Sequence, residues 1–166
     1  MKPAILPNMR TAVMLAGTIS AALLLSCSPQ PKPAPSQAEA PAAAPPPDES
    51  RRFPQANLVE TKVVNRELMG KAFMPGGTLA RYKRGKLEYE MFVARTPVNN
   101  DAALLLPDWR KALTGAKFVP SFGGYFGLDA GRPVFVFSKG SWIAGIAGLV
   151  EKDADIEART LAARLN

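Results

Sequence analysis

Histidine is absent from all 166 residues, and cysteine occurs once, at Cys27. Without an imidazole there is no Ser-His-Asp or Cys-His relay, because both need that base. Zinc and most transition-metal sites draw on clusters of His and Cys, and none can be assembled here. A single thiol excludes an intramolecular disulfide, so the folded part is held by its core alone. Nucleophile motifs of the G-x-S-x-G and S-x-x-K kinds are missing. So are the dinucleotide fingerprint and the P-loop. No enzyme activity, metal or cofactor is therefore expected.

What the sequence has in excess is positive charge. Lys and Arg number 21 against 14 Asp and Glu, a formal charge of +7. Lys2, Arg10 and Lys32 cancel Glu39, Asp48 and Glu49 in residues 1–50, so the whole excess lies in 51–166. A basic domain favours anionic partners such as nucleic acid, phospholipid headgroups or acidic envelope glycans.

The N-terminus narrows that choice. Met1 to Arg10 carries two cations and no acid, and Thr11 to Ser26 carries no charge. This is the n-region and h-region pattern of a secretory signal. The apolar run of about 16 residues falls short of the roughly 20 that cross a bilayer as a helix. It ends in Leu24-Leu25-Ser26-Cys27, which resembles the lipobox of bacterial lipoproteins. The resemblance implies a signal peptide over 1–26, diacylglycerol on the Cys27 thiol, and cleavage that makes Cys27 the new N-terminus. Several acyl chains, at about 0.8 kcal/mol per buried methylene, hold where one is marginal. Ser28 after the cysteine, where Asp is absent, resembles cargo sent to the outer membrane, facing the periplasm, if the source is Gram-negative. Two other readings stand beside it: a cleaved signal with an incidental cysteine, and an uncleaved membrane helix. In an envelope compartment nucleic acid is not an expected partner.

Residues 27–50 read as the lipidated cysteine and a tether. Eight of the 23 residues from Ser28 to Ser50 are Pro and six are Ala, with no large apolar side chain. Such a stretch cannot join a core. As polyproline II, at about 3.1 Å per residue, it reaches about 70 Å at most.

Residues 51–166 read as one α+β domain: an antiparallel sheet of about five or six strands, with two or three helices packed mostly on one face. Asn57 to Val64 is a strand candidate, and Arg66 to Phe73 a short helix ended by a turn at Met74-Pro75-Gly76-Gly77. Thr78 to Lys83 and Leu87 to Ala94 form a hairpin around Arg84-Gly85. A two-residue loop there sets Arg81 opposite Glu88 and gathers Tyr82, Leu87, Tyr89 and Met91 on one face; a three-residue loop shifts the register by one. Ala102, Leu105, Leu106, Trp109, Ala112 and Leu113 make a helical stripe, with Pro107 kinking or opening the helix. Lys117 to Ser121 is a further strand. Pro133 to Phe137 and Trp142 to Val150, apolar on both faces, are central strands of a second hairpin. A closing helix runs from about Asp153 to Leu165, burying Ala154, Ala158, Leu161, Ala162 and Leu165 while Ile156 falls off the stripe. The order from residue 70 onward resembles bacterial lipoprotein domains of unknown activity, which supports the fold and implies no mechanism.

Arg81, Lys83, Arg84 and Lys86 surround the first hairpin tip. They read either as an anion-binding patch or as the solvated charges that guard strand edges. Gly123 to Gly131 reads as a ligand loop or a bulged connector. Tyr125, Phe126 and Trp142 stack on a sugar ring or sit in the core. Asp129 is the only acid between Asp108 and Glu151, so a glycosidase-like pair needs the fold to supply its partner. Asp153 and Asp155 suit a helix start. The expectation is a non-catalytic module that binds the membrane through its lipid, and a protein or anionic glycan or lipid of the envelope. The rivals are a carboxylate hydrolase acting on envelope glycans and a carrier of an apolar ligand.

Overall fold

The computed structural model describes residues 44–166. The expected signal peptide, Cys27 and the expected tether up to residue 43 lie outside the described residues.

Alternating and doubly apolar segments pair into one antiparallel sheet of seven strands: β1 (Leu58–Arg66), β2 (Pro75–Arg84), β3 (Leu87–Arg95), β4 (Thr114–Val119), β5 (Gly124–Asp129), β6 (Arg132–Lys139) and β7 (Trp142–Ala147). Their order across the sheet is β1-β2-β3-β7-β6-β5-β4. Two short helical segments, α1 (Asp101–Leu104) and α2 (Leu106–Ala112), connect β3 to β4, and α3 (Glu151–Ala162) follows β7. The α+β class holds, but the described residues form seven strands rather than five or six.

The additional strand is β5, in the glycine-rich stretch read as a ligand loop or a bulged connector. Its glycines serve close packing. A Cβ on Gly124 would strike the Val136 carbonyl, and one on Gly127 would meet Leu113 at 3.0 Å. The tight turn belongs to Ala130 and Gly131, with φ of 48° and 83°, after which Arg132 pairs back with Asp129. The expected turn at residues 74–77 is likewise the start of a strand. Gly76 and Gly77 lie in β2, where added Cβ atoms would collide with the carbonyls of Asn65 and Val93. The expected helix over 66–73 reduces to one 3-10 turn, Leu68–Gly70, with Glu67 and Met69 at positive φ.

Period-two alternation sends the strand side chains to two cores. Tyr89, Met91 and Val93 of β3, Phe135 and Phe137 of β6, and Trp142, Ala144 and Ile146 of β7 meet Ala154, Ala158 and Leu161 of α3. Phe92 and Ala94, Val134 and Val136, and Ile143 and Ala147 meet Ala102, Leu106 and Trp109 of α1 and α2. The helices thus cover both faces, not mostly one. The reason lies in β6 and β7: strands apolar on both sides leave two faces to be sealed. Pro107 sits in the first turn of α2, so it opens that segment, and Trp109 is fully buried against Phe92, with ring centroids 5.7 Å apart.

The sheet has two ends. At one, β3 finishes at Arg95 beside Trp142 and Lys139. At the other, β2 turns into β3 at Gly85. The chain arrives at the Trp142 end. The Glu49 backbone N–H donates to Thr78 Oγ1 at 3.0 Å, Arg52 lies 4.2 Å over the Trp142 ring, and Phe53 is fully buried. Glu49, in the segment read as tether, is buried there too. From Phe53 the chain crosses the α3 face: the Tyr82 hydroxyl donates to Pro54 O and the Lys83 N–H donates to Asn57 O before β1 begins.

Candidate functional site

The hairpin tip closes with Gly85 and Lys86 as the loop, so Arg84 pairs with Leu87, Lys83 with Glu88, Tyr82 with Tyr89 and Arg81 with Glu90. Neither expected register is observed, and Arg81 does not lie opposite Glu88. Gly85 adopts φ of 63°, which places it at the first loop position and moves Arg84 into the strand. The pairing moves by two, so the face shared by Tyr82, Tyr89 and Met91 is preserved.

This register divides the four cations. Arg81 and Lys83 project from one face of β2, while Arg84 shares the α3 side with Tyr82. Three of them meet carboxylates: Arg81 to Glu60 at 3.0 Å, Lys83 to Glu88 at 2.7 Å and Arg84 to Glu157 at 3.7 Å. Hydrogen bonding from Lys83 lowers the Glu88 pKa. Among the described residues, Lys86 alone of the four has no carboxylate within 4.0 Å. The hollow beside Arg81, Lys83 and Glu88 holds about 180 Å³. The tip offers an incoming anion little uncompensated charge.

A larger cleft opens on the α3 face, lined by Val119, Phe135, Glu151, Lys152, Asp155 and Ile156, with a volume of about 580 Å³. Its origin is topological. Helix α3 packs mainly on β6 and β7 and covers β5 and β4 less on that side. Val119, Phe122 and Phe126 rest against the core there without being sealed by it. Ile156, the residue off the buried stripe of α3, overhangs the cleft and is 57% exposed. Lys117 of β4 reaches Glu151 at 2.8 Å and ties the edge strand to the start of the helix. Asp155 receives a bidentate hydrogen bond from Arg159 at 2.8 and 3.1 Å, and the Arg159 guanidinium stands 5.3 Å over the Phe122 ring. An apolar floor with charges of both signs at its rim can seat an apolar side chain whose neighbours are polar.

The remaining candidates resolve singly. Asp129 is held by Lys71 at 2.7 Å on the opposite face. Trp142 is core, and Phe126 packs on the α3-side core. Tyr125 packs partly on the other core and lies 5.6 Å from Phe118. Asp153 falls in the first turn of α3, whereas Asp155 pairs with Arg159. Tyr82 and Tyr89 stack at 4.9 Å between centroids. Burial pushes both hydroxyls up, Tyr89 to about 12, with the Glu157 carboxylate adding to the effect. Among the described residues no group of three or more acidic or sulfur ligands stands together as for a metal ion. The cleft itself was missed in sequence because its residues come from β4, β6 and α3. The exception of Ile156 from the helical stripe was its only local signal.

Compared with known protein families, curated proteins and solved structures, the chain finds no match.

Proposed function

We propose that the chain is a membrane-anchored envelope lipoprotein whose folded domain is a non-catalytic binding or accessory module. The lipobox ending at Cys27 and the Pro/Ala-rich tether support the anchor. The observation that carries the binding role is the cleft of about 580 Å³ between α3 and the β4 edge. Its floor is apolar, formed by Val119 and Phe135 beside the overhanging Ile156. It replaces the hairpin tip as the favoured contact surface, because the tip cations are mostly paired. Its chemistry suits a protein partner of the envelope that inserts one or two apolar side chains.

A photo-crosslinking residue at Ile156 in the full chain tests this in cells, with the same residue at Lys86 as comparison. The reading expects a defined adduct with an envelope protein from position 156. An adduct from position 86 alone returns the binding surface to the hairpin. No adduct from either position overturns the binding role.

The cleft also keeps a hydrolase reading in view, since Glu151 and Asp155 both line it. Both already accept hydrogen bonds from cations, Lys117 and Arg159. A chain carrying Glu151→Gln and Asp155→Asn is expected to keep its cellular function. Loss of function with retained folding and retained crosslinking would favour hydrolysis.

A further inference from the structure

We propose that the Trp142 end of the sheet is a second interaction surface, which lies against the anionic phospholipid headgroups of the membrane holding the anchor. The inference rests on the lipoprotein reading for the anchor and goes beyond it by assigning the domain an orientation.

Three observations meet at this end. First, the chain leading from Cys27 joins the domain here, at Glu49 to Phe53. Second, cations converge on one ring and one helix terminus. The Arg52 and Arg95 guanidiniums lie 4.2 and 5.5 Å from the centre of the Trp142 ring. Arg52 donates to Arg164 O at 2.8 Å, and Lys139 Nζ donates to Ala162 O at 2.7 Å, both at the end of α3. Arg51 stands beside Arg52 in the same turn.

Third, apart from Arg52, these charges lack acidic partners, unlike three of the four at the hairpin tip. Arg51, Arg95, Lys139 and Arg164 are exposed, and among the described residues none has a carboxylate within 4.0 Å. Acids at this end include Glu49, committed to Arg52 at 2.8 Å, Asp48, whose side chain accepts from the Ser50 N–H, and Asp101 at the start of α1. The surface is therefore cationic where the chain arrives and balanced where the hairpin turns. Basic groups held near a membrane by a lipid anchor gain from a negative headgroup layer within about a Debye length. The occupant follows from charge complementarity and from the place where the tether enters.

The test uses the acylated full chain in vesicles of phosphatidylglycerol with phosphatidylcholine, and in vesicles of phosphatidylcholine alone. A water-soluble amine reagent reads Lys139 at the proposed surface and Lys86 at the far end. Lys139 is expected to be protected several-fold in the anionic vesicles, with Lys86 unchanged and the protection lost at high salt. Arg95→Glu with Arg164→Glu should remove it while leaving the circular dichroism spectrum intact. Equal labelling of Lys139 in both vesicles overturns the proposal. So does protection that survives high salt or the double reversal, which would point to a protein or packing contact. The acyl mass is read on the same sample. An acylated chain without protection loses this surface and keeps the anchor. An unacylated chain that still shows protection loses the anchor and keeps the surface.

Discussion

Single residues in this domain mostly act by what they press against. Gly145 of β7 faces the Phe135 carbonyl, and a Cβ there would also lie 2.5 Å from Phe92 Cζ. The clash is with backbone and with a ring locked against Trp109, so neither can yield cheaply. Gly145→Ala is expected to cost about 3 kcal/mol, read as the shift of a urea unfolding curve at unchanged slope. Arg52 acts differently, by satisfying a buried acid. Its removal leaves the Glu49 carboxylate, 7% exposed, without its cation. Arg52→Ala is expected to cost about 3 kcal/mol in the same assay. The tyrosine pair sets a limit in alkali. Tyr89 ionises at about 10 when unfolded and about 12 when folded, and Tyr82 is raised too. A raised folded pKa means that the stability is fully present below pH 10. It is lost as pH rises from 10 through 12, because only the unfolded chain releases the proton readily. Unfolding curves collected across that window should show the decline, and Tyr89→Phe should flatten part of it.

Elements differ in how far their own sequence specified them. Helix α3 was legible because its buried Ala154, Ala158 and Leu161 repeat at helical spacing and its acids gather in the first turn. Strands β6 and β7 were legible because each is a continuous apolar run. Strand β5 was not. Gly124 and Gly127 look like loop residues until Val136 and Leu113 are placed beside them, and those are long-range neighbours. The same holds for Gly76 and Gly77 in β2. The hairpin register turned on a single glycine: Gly85 takes the first loop position, not the second, and that choice decides which acid each cation meets. At this scale α1 and α2 are too short to stand alone. Their place depends on Trp109, fully buried between Phe73 and Phe92. Trp109→Ala is expected to cost about 3–5 kcal/mol and to expose the face of the sheet opposite α3, measured by denaturation and by dye binding to exposed apolar surface.

At the scale of the whole molecule, the sequence announced where the +7 charge lies but not how it is arranged. Pairing in the fold consumes most of the cations that were adjacent in sequence at 81–86, while Arg52 and Arg95 come together over Trp142 and Lys139 meets the end of α3 beside them. The candidate cleft has the same character, being assembled from β4, β6 and α3. Composition could exclude histidine-based catalysis, because that needs a residue the chain lacks. It could not find a surface made by topology. The proposed anchor is the reverse case, since four consecutive residues and the stretch before them carry the reading. The compartment proposed for the domain, and with it an envelope partner for the cleft, rests on that proposed anchor. The most direct measurement is the intact mass of the N-terminal peptide from membranes of cells expressing the native chain and Cys27→Ala. The account predicts a peptide that begins at Cys27 with the added mass of acyl chains, and loss of that species in the variant. An unmodified peptide from a soluble native chain would contradict it, and nucleic acid would return as a target for the basic domain.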